Sequence, residues 1–197
     1  MIVIVDYGYG NIFSVKSALN KVGYNCIFSA KRSIIEHAKI IILPGVGAYQ
    51  QAMKALKKNQ LDQSIRDAIK KGAGIIGICL GYQMFFEYSE ENGIHEGLNL
   101  IKGNVLSLKK INSNFKRVPN IGWRKLIPNK KNIFFNDFNT NNYVYFVHSF
   151  VPVIKDEKMV SALTSFDGKN IHASVKHNKI IGFQFHPEKS GEVGLDI

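Results

Sequence analysis

The sequence of 197 residues predicts an α/β fold, in which a parallel-rich sheet flanked by helices is followed by an antiparallel C-terminal portion. In the first half, short continuous apolar runs alternate with amphipathic segments of helical length, which is typical of a buried parallel sheet. From Gly97 onward, short strands are separated by turn signals such as Asp167-Gly168, which favours antiparallel pairing. We see no internal repeat or linker, so we expect one domain over residues 1–197.

The helices and strands of the first half are predicted from hydrophobic periodicity and from the glycine and proline residues that end them. Strands are predicted over 1–5, 25–29, 39–43 and 75–78, and helices over 12–22, 33–37, 49–59, 61–71 and 80–86. The Gly-rich turn after the first strand contains a Gly-x-Gly fragment but lacks the third glycine and the lysine of a phosphate loop. We therefore do not expect nucleotide binding there.

The second half contains five stretches that we interpret as strands, with a polar segment among them. The strands are predicted over 105–108, 143–147, 159–163, 171–176 and 180–185. Residues 125–140 are rich in Lys and Asn, which indicates an exposed loop with a short helix.

Composition excludes several classes of function. The net charge of +11 is spread over scattered lysines without interleaved aromatics, which favours a solvated basic surface over nucleic-acid binding. No basic leader and no run of about 18 apolar residues is present, so we expect a cytoplasmic protein without a membrane partner. Two cysteines make no disulfide framework, and the histidines outside the motifs below have no metal-ligand spacing. No metal or cofactor is expected.

The stretch Gly77-Ile78-Cys79-Leu80-Gly81 carries the strongest chemical signal. An apolar strand ends at Cys79 and a helical pattern begins directly after it, with glycine two residues away on either side. This is the thiol form of a nucleophile elbow, in which a strained turn brings neighbouring backbones too close for a β-carbon. Free N–H groups of the following helix favour the thiolate. The alternative is a buried structural cysteine.

The second chemical signal lies near the C-terminus, at His186-Pro187-Glu188. We interpret residues 183–188 as a short alternating strand, on which His186 and Glu188 share one face because residues i and i+2 of a strand do. A base and the carboxylate that orients it can then approach Cys79 together. This is the logic of a catalytic triad, with Cys79, His186 and Glu188 as its members.

Together with Pro44-Gly45-Val46-Gly47, these motifs resemble the class I (triad) glutamine amidotransferases over essentially the whole chain. The segments 6–11, 121–123 and 186–191 are most similar to the glutaminase subunits of imidazole glycerol phosphate synthase. The resemblance implies a flavodoxin-like fold and hydrolysis of L-glutamine. It also implies oxyanion and substrate contacts by Gly45, Val46, Gly47, Leu80, Gln83, Glu91, His148, Ser149 and Phe150. The family usually has Tyr in place of Phe150.

The same resemblance implies a partner, a (β/α)₈-barrel cyclase that receives the ammonia within a heterodimer. The interface residues it implies are Asn11, Asn120, Trp123, Tyr145 and Lys189. The family usually reads Pro-His-x-Gly-Trp-Asn where this chain has Asn at 120 and Arg at 124, which changes the surface predicted to face the partner. A paralogous glutaminase for surface-polysaccharide sugars, a non-catalytic member and a Cys-His hydrolase of the same fold remain alternatives.

Overall fold

The computed structural model describes residues 1–129, 132–135 and 142–197. Thirteen strands, seven α-helices and two 3₁₀ turns lie in these ranges. The strands are β1 Ile2–Val5, β2 Cys26–Ser29, β3 Ile40–Leu43, β4 Gly74–Ile78, β5 Tyr88–Ser89, β6 His95–Glu96, β7 Gly103–Ser107, β8 Asn120–Pro128, β9 Tyr143–His148, β10 Phe150–Ile154, β11 Val160–Phe166, β12 Lys169–His177 and β13 Ile180–Phe183. The α-helices are α1 Ile12–Lys21, α2 Arg32–Ile35, α3 Tyr49–Lys58, α4 Leu61–Lys70, α5 Leu80–Gln83, α6 Leu108–Ile111 and α7 Gly191–Leu195, and single 3₁₀ turns span Ile133–Phe135 and Pro187–Lys189.

A nine-stranded sheet organises the molecule, in the order β2-β1-β3-β4-β13-β12-β11-β8-β9. The strands from β2 to β13 run parallel, and those from β13 to β9 are antiparallel. The predicted division into a parallel part and an antiparallel part is therefore confirmed. β13 joins the two, since it is parallel to β4 on one side and antiparallel to β12 on the other.

The parallel part is covered on both faces, as its continuous apolar strands require. Val3 and Val5 of β1 pack into one cluster with residues of α3 and α4, such as Leu56 and Ile65. The intervening Ile4 belongs to a different cluster that contains Val15 of α1. This alternation follows from the two-residue period of a strand.

A second sheet was not predicted. It has four strands in the order β10-β7-β5-β6, and only β7 corresponds to a predicted strand. β5 and β6 have two residues each, which is too short for a hydrophobic period to appear in the sequence. β10 contains Pro152, which usually counts against a strand, but here it pairs with Val105 of β7 at the edge of the sheet.

The helix predicted after Cys79 is shorter than the 80–86 expected. It ends at Gln83 because the next carbonyl groups accept hydrogen bonds from another segment: Leu98 N–H donates to Met84 O, and Leu100 N–H donates to Phe85 O. The prediction of a loop over 125–140 is wrong at its start, since β8 continues to Pro128. Residues 130, 131 and 136–140 of that prediction lie outside the described residues.

Two further observations bear on the composition-based expectations. Among the helices that the structure describes, none is long and apolar enough to cross a bilayer. Cys26 and Cys79 are both free thiols.

Candidate active site

Cys79 lies at the carboxyl end of β4, in the turn that leads into α5, with φ of +53° and ψ of −109°. The left-handed φ is rare for a residue with a β-carbon and marks a strained turn. A β-carbon on Gly77 would lie 2.5 Å from Phe85 Cζ, and one on Gly81 would lie 1.8 Å from Leu43 O. Both positions therefore require glycine, because a β-carbon would overlap neighbouring atoms, as the motif predicts.

His186 and Glu188 form a buried pair beside Cys79. His186 Nδ1 lies 2.8 Å from Glu188 Oε1, and the two side chains are 2% and 3% exposed. Burial lowers the pKa of His186, but hydrogen bonding and negative charge from Cys79 and Glu188 outweigh it and raise that pKa to about 9. Since Nδ1 is held by Glu188, Nε2 is the atom left to face the Cys79 sulfur. The imidazole of His186 is therefore protonated at neutral pH.

The backbone that places this pair differs from the expected strand. β13 ends at Phe183, and Pro187 begins a 3₁₀ turn that ends at Lys189. The expectation that His186 and Glu188 share a face through strand geometry is thus wrong, because proline fixes φ and starts the turn. The turn still brings the two side chains together.

The loop from Pro44 to Gly47 packs directly on the elbow. A β-carbon on Gly45 would lie 2.5 Å from Gly81 N, and Gly47 has a φ of +97°. The buried Tyr7 hydroxyl donates to Pro44 O at 2.7 Å and so holds the start of the loop. Burial and the nearby Cys79 raise the pKa of Tyr7, which keeps this hydroxyl protonated. Val46 is 41% exposed between the two glycines.

A cavity of about 470 Å³ opens over Cys79. Apart from Gly45, which packs beneath it, every oxyanion or substrate residue predicted from the sequence lines this cavity, as do Cys79 and His186. Pro119 and Val147 complete the wall. The volume suits a small metabolite such as a free amino acid. In the described ranges, no group of three or more His, Cys, Asp and Glu side chains is placed to hold a metal ion.

The side-chain amide of Gln83 has a fixed orientation in this cavity. Its Nε2 donates to Phe150 O at 2.9 Å and to Gln184 Oε1 at 3.0 Å, and a carbonyl oxygen can only accept. Oε1 of Gln83 is therefore the atom left to accept a hydrogen bond from a ligand. Gln184 is fully buried, and its Nε2 lies 3.8 Å from Cys79 Sγ. Gln184 stands two residues before His186, in a predicted strand, but the sequence suggested no role for its side chain.

Glu91 has a structural contact as well as a place in the cavity wall. Its Oε2 accepts a hydrogen bond from Tyr49 N at 2.9 Å, at the first turn of α3. The N-cap residue of α3 is Ala48, whose side chain makes no hydrogen bond to the free N–H groups of that turn. Glu91 thus stabilises the helix that follows the Pro44–Gly47 loop, while it lines the cavity.

His148 is held from both sides of its ring. Nδ1 lies 2.9 Å from Phe150 O, and Nε2 lies 2.9 Å from Asn120 Nδ2. Burial lowers the pKa of His148 to about 4, with the nearby positive charges of His186 and Arg124 adding to the effect. The ring is therefore neutral, with Nδ1–H donating and Nε2 accepting. Arg124 Nε in turn donates to Asn120 Oδ1 at 2.9 Å.

The residues expected at a partner interface divide into two groups. Trp123 is 53% exposed and its ring contacts that of Tyr145, while Lys189 is exposed and Asn11 is partly exposed at the start of α1. Asn120 is fully buried because its side chain bonds with His148 and Arg124. The expectation that Asn120 contacts a partner directly is therefore wrong for this structure.

The fold and the site together are typical of one class of enzyme, the glutamine amidotransferases. The model of the glutamine amidotransferase class-I family matches residues 3–194, and the chain belongs to this family. Among its relatives are proteins described as imidazole glycerol phosphate synthase subunit HisH. The one from Oceanobacillus iheyensis is 45% identical over 197 residues, which cover all of this chain and 96% of that protein. The one from Chlorobaculum tepidum is 39% identical, with 100% and 96% covered.

Solved structures agree on the fold. A crystal structure of a glutamine amidotransferase superposes with a TM-score of 0.74 at 18% identity, covering all of this chain and 95% of the other. A structure of PurLQS from Thermotoga maritima gives 0.70 at 22% identity, covering 98% and 91%. The predicted family, fold class and glutaminase function, including its place in histidine biosynthesis, are thereby confirmed.

Proposed function

We propose that Cys79, His186 and Glu188 are the residues with which this glutaminase subunit hydrolyses L-glutamine, and that the ammonia passes to a (β/α)₈-barrel cyclase. The observation that carries the first part is the buried His186–Glu188 pair beside the strained Cys79, at the floor of the cavity. The full-length likeness to imidazole glycerol phosphate synthase subunits supports a synthase partner.

In the proposed reaction, the Cys79 thiolate attacks the side-chain amide carbon of glutamine. His186, protonated below its pKa of about 9, gives a proton to the departing nitrogen, so that a thioester forms and ammonia leaves. His186 then accepts a proton from water, which attacks the thioester and releases glutamate. Glu188 holds Nδ1 throughout, so that Nε2 stays directed at the reacting atoms.

Two backbone groups are the proposed oxyanion donors. Leu80 is the first residue of α5, and N–H groups in the first turn of a helix have no acceptor within it. The second donor comes from the Gly45-Val46-Gly47 segment, whose glycines allow a peptide to reorient. Each donor contributes roughly 3–4 kcal/mol to the transition state. A segment that presents its N–H only when the partner is bound would couple hydrolysis to synthesis.

The substrate's polar groups meet acceptors and backbone along the cavity wall. Gln83 presents Oε1, which suits an ammonium or amide N–H of glutamine. Glu91 presents a carboxylate to the same cavity, which suits the α-ammonium group. The segment from His148 to Phe150 offers backbone groups, with the neutral His148 held rigid beneath them.

The partner surface that we propose is formed by Trp123, Tyr145 and Lys189. Backbone contacts of Tyr145 tie this surface to the triad: its carbonyl accepts from His186 N at 2.9 Å, and its N–H donates to Ser190 Oγ at 3.0 Å. Two residues along β9, Val147 O lies 3.9 Å from Cys79 Sγ. The proposed docking surface is thus continuous with the cavity mouth, as transfer of ammonia requires.

The test is ammonia release by the chain alone, with the cyclase subunit of the same organism, and with that subunit and its nucleotide substrate. We expect the free chain to be nearly inactive and kcat to rise about 10²–10³-fold in the full system, which is the effect of one oxyanion donor. KM for glutamine should change less, because such a donor acts in the transition state. Full activity of the chain alone would contradict the coupling.

Docking is tested separately with Trp123→Ala and Lys189→Ala. Each should weaken the complex, by roughly thirtyfold in Kd if a buried contact is lost. Tyr24→Ala is the matched control, since Tyr24 is a 59% exposed aromatic that precedes β2, the edge strand opposite β9, which carries Tyr145. An equal loss in all three variants would remove the support for this surface.

A further inference from the structure

We propose that Gln184 is a further catalytic residue, which donates a hydrogen bond to the Cys79 thiolate and fixes the substrate-binding amide of Gln83 at the same time. This inference rests on the proposed role of Cys79 as the nucleophile. It concerns a side chain to which the sequence assigned no role.

The orientation of the Gln184 amide follows from its neighbours. Gln83 Nε2 uses one of its hydrogens on Phe150 O, which can only accept, and lies 3.0 Å from Gln184 Oε1. The Gln184 oxygen is thereby assigned as an acceptor. The NH₂ group of Gln184 must then be the part that lies 3.8 Å from Cys79 Sγ.

The backbone holds Gln184 in this position. Its N–H donates to Ala173 O at 2.8 Å, which extends the contact between β13 and β12 by one residue. The preceding carbonyl, Phe183 O, accepts from Cys79 N at 2.7 Å. The backbones of the nucleophile and its proposed donor are therefore linked, and both side chains are buried.

The groups around the sulfur change roles when the thiol ionises. In the neutral form, the S–H group can donate to Val147 O at 3.9 Å. A thiolate has no hydrogen to donate, and its negative charge is stabilised by groups that donate hydrogen bonds to the sulfur. The side-chain amide of Gln184 supplies one such donor beside the His186 imidazolium.

The other titratable groups near the sulfur do not supply this donor. Tyr7 is protonated but its hydroxyl is committed to Pro44 O. His148 is neutral, with Nδ1–H committed to Phe150 O. Glu91 lines the same cavity and carries a negative charge, which opposes the thiolate. Gln184 is thus the uncharged donor placed at the nucleophile.

The test measures alkylation of Cys79 by iodoacetamide as a function of pH, in a Cys26→Ser background so that one thiol reacts. Gln184→Met keeps the length of the side chain and removes the donor. In this variant we expect the midpoint of alkylation to rise by about one pH unit, with roughly tenfold slower reaction below the midpoint. Gln184→Glu keeps an acceptor for Gln83 but places a carboxylate beside the sulfur, so the midpoint should rise at least as far.

Gln83→Met is the matched control, because it removes an amide from the same network without touching the sulfur. It should raise KM for glutamine and leave the midpoint of alkylation close to that of the parent. A parental midpoint in Gln184→Met, or an equal shift in Gln83→Met, would overturn the proposal.

Two features keep the result interpretable. Alkylation needs neither glutamine nor a partner, so a failure of the proposed glutaminase mechanism is seen separately, as absent ammonia release by the parent complex. If the variants do not fold, the side-chain NH₂ resonances of Gln184 in the parent protein provide the measurement. They should titrate with the same midpoint as alkylation of Cys79, and a pH-independent signal would contradict the proposal.

Discussion

Replacing Glu188 with glutamine tests the role that we propose for the buried His186–Glu188 pair. Glu188→Gln keeps the size of the side chain and an oxygen for the bond to His186 Nδ1, but it removes the negative charge. In the parent protein this charge lies 2.8 Å from the ring, in a pair that is 2% and 3% exposed. The change therefore acts on His186 through charge and hydrogen bonding, with little change in packing.

The size of the effect follows from that geometry. A hydrogen bond between buried charged groups contributes about 1.5–3 kcal/mol, which corresponds to about one to two pKa units. The pKa of His186 is about 9 in the parent protein, raised in part by Glu188. The variant should have a His186 pKa of about 7–8. The neutral amide can also stabilise the wrong tautomer of the ring, so kcat should fall by roughly 10²–10⁴-fold.

The assay is the pH dependence of ammonia release by the complex with the cyclase subunit. In the proposed reaction the imidazolium gives the proton to departing ammonia, so activity should be lost as pH rises through the pKa of His186. The alkaline limb should lie near pH 9 in the parent complex and move to lower pH in Glu188→Gln.

Glu192→Gln is the control, since Glu192 is an exposed carboxylate in the first turn of α7, four residues away along the chain. It should leave both kcat and the alkaline limb unchanged. An alkaline limb that stays near pH 9 in Glu188→Gln would refute the role given to the pair. A loss as large as that caused by removing Cys79 would show that Glu188 does more than orient and charge the ring.

Two further predictions concern the support of the site. Gly81→Ala places a β-carbon 1.8 Å from Leu43 O, so the free energy of unfolding, measured in urea, should fall by about 1–3 kcal/mol or more, and an unchanged value would contradict the elbow geometry. Asn120→Asp should raise the pKa of His148 from about 4, because a carboxylate accepts from a protonated Nε2. The parent protein loses folding stability as pH falls from 6.5 toward 4. In this range His148 binds a proton in the unfolded chain but stays neutral in the folded protein. The variant should lose less between pH 7 and pH 5, and an equal loss would refute the arrangement.

The parallel half of the fold could be predicted because its signals are local. Continuous apolar strands, amphipathic helices and the glycines around Cys79 each lie within a few residues, and the structure gives the same physical reason for Gly77 and Gly81 as the motif did. The length of α5 could not be predicted, since it depends on distant N–H groups of Leu98 and Leu100 that bond to the chain where the helix would continue.

The polar network of the site was harder to predict. The sequence pattern of a strand does not show whether a polar residue such as Gln184 or Asn120 faces solvent or the interior. Only the assembled sheet shows that both are fully buried. Gln184 carried one usable signal, since it precedes His186 by two residues. No local signal in the sequence pointed to Asn120, because its partner His148 lies opposite it only through the pairing of β8 with β9.

The central claim is that Cys79 is the nucleophile, and the most direct measurement of it is ammonia release from glutamine by Cys79→Ala in complex with the cyclase subunit. The account predicts that hydrolysis is abolished while the thermal unfolding curve and binding to the partner match those of the parent protein. Turnover near the parental rate in the folded variant would contradict the claim.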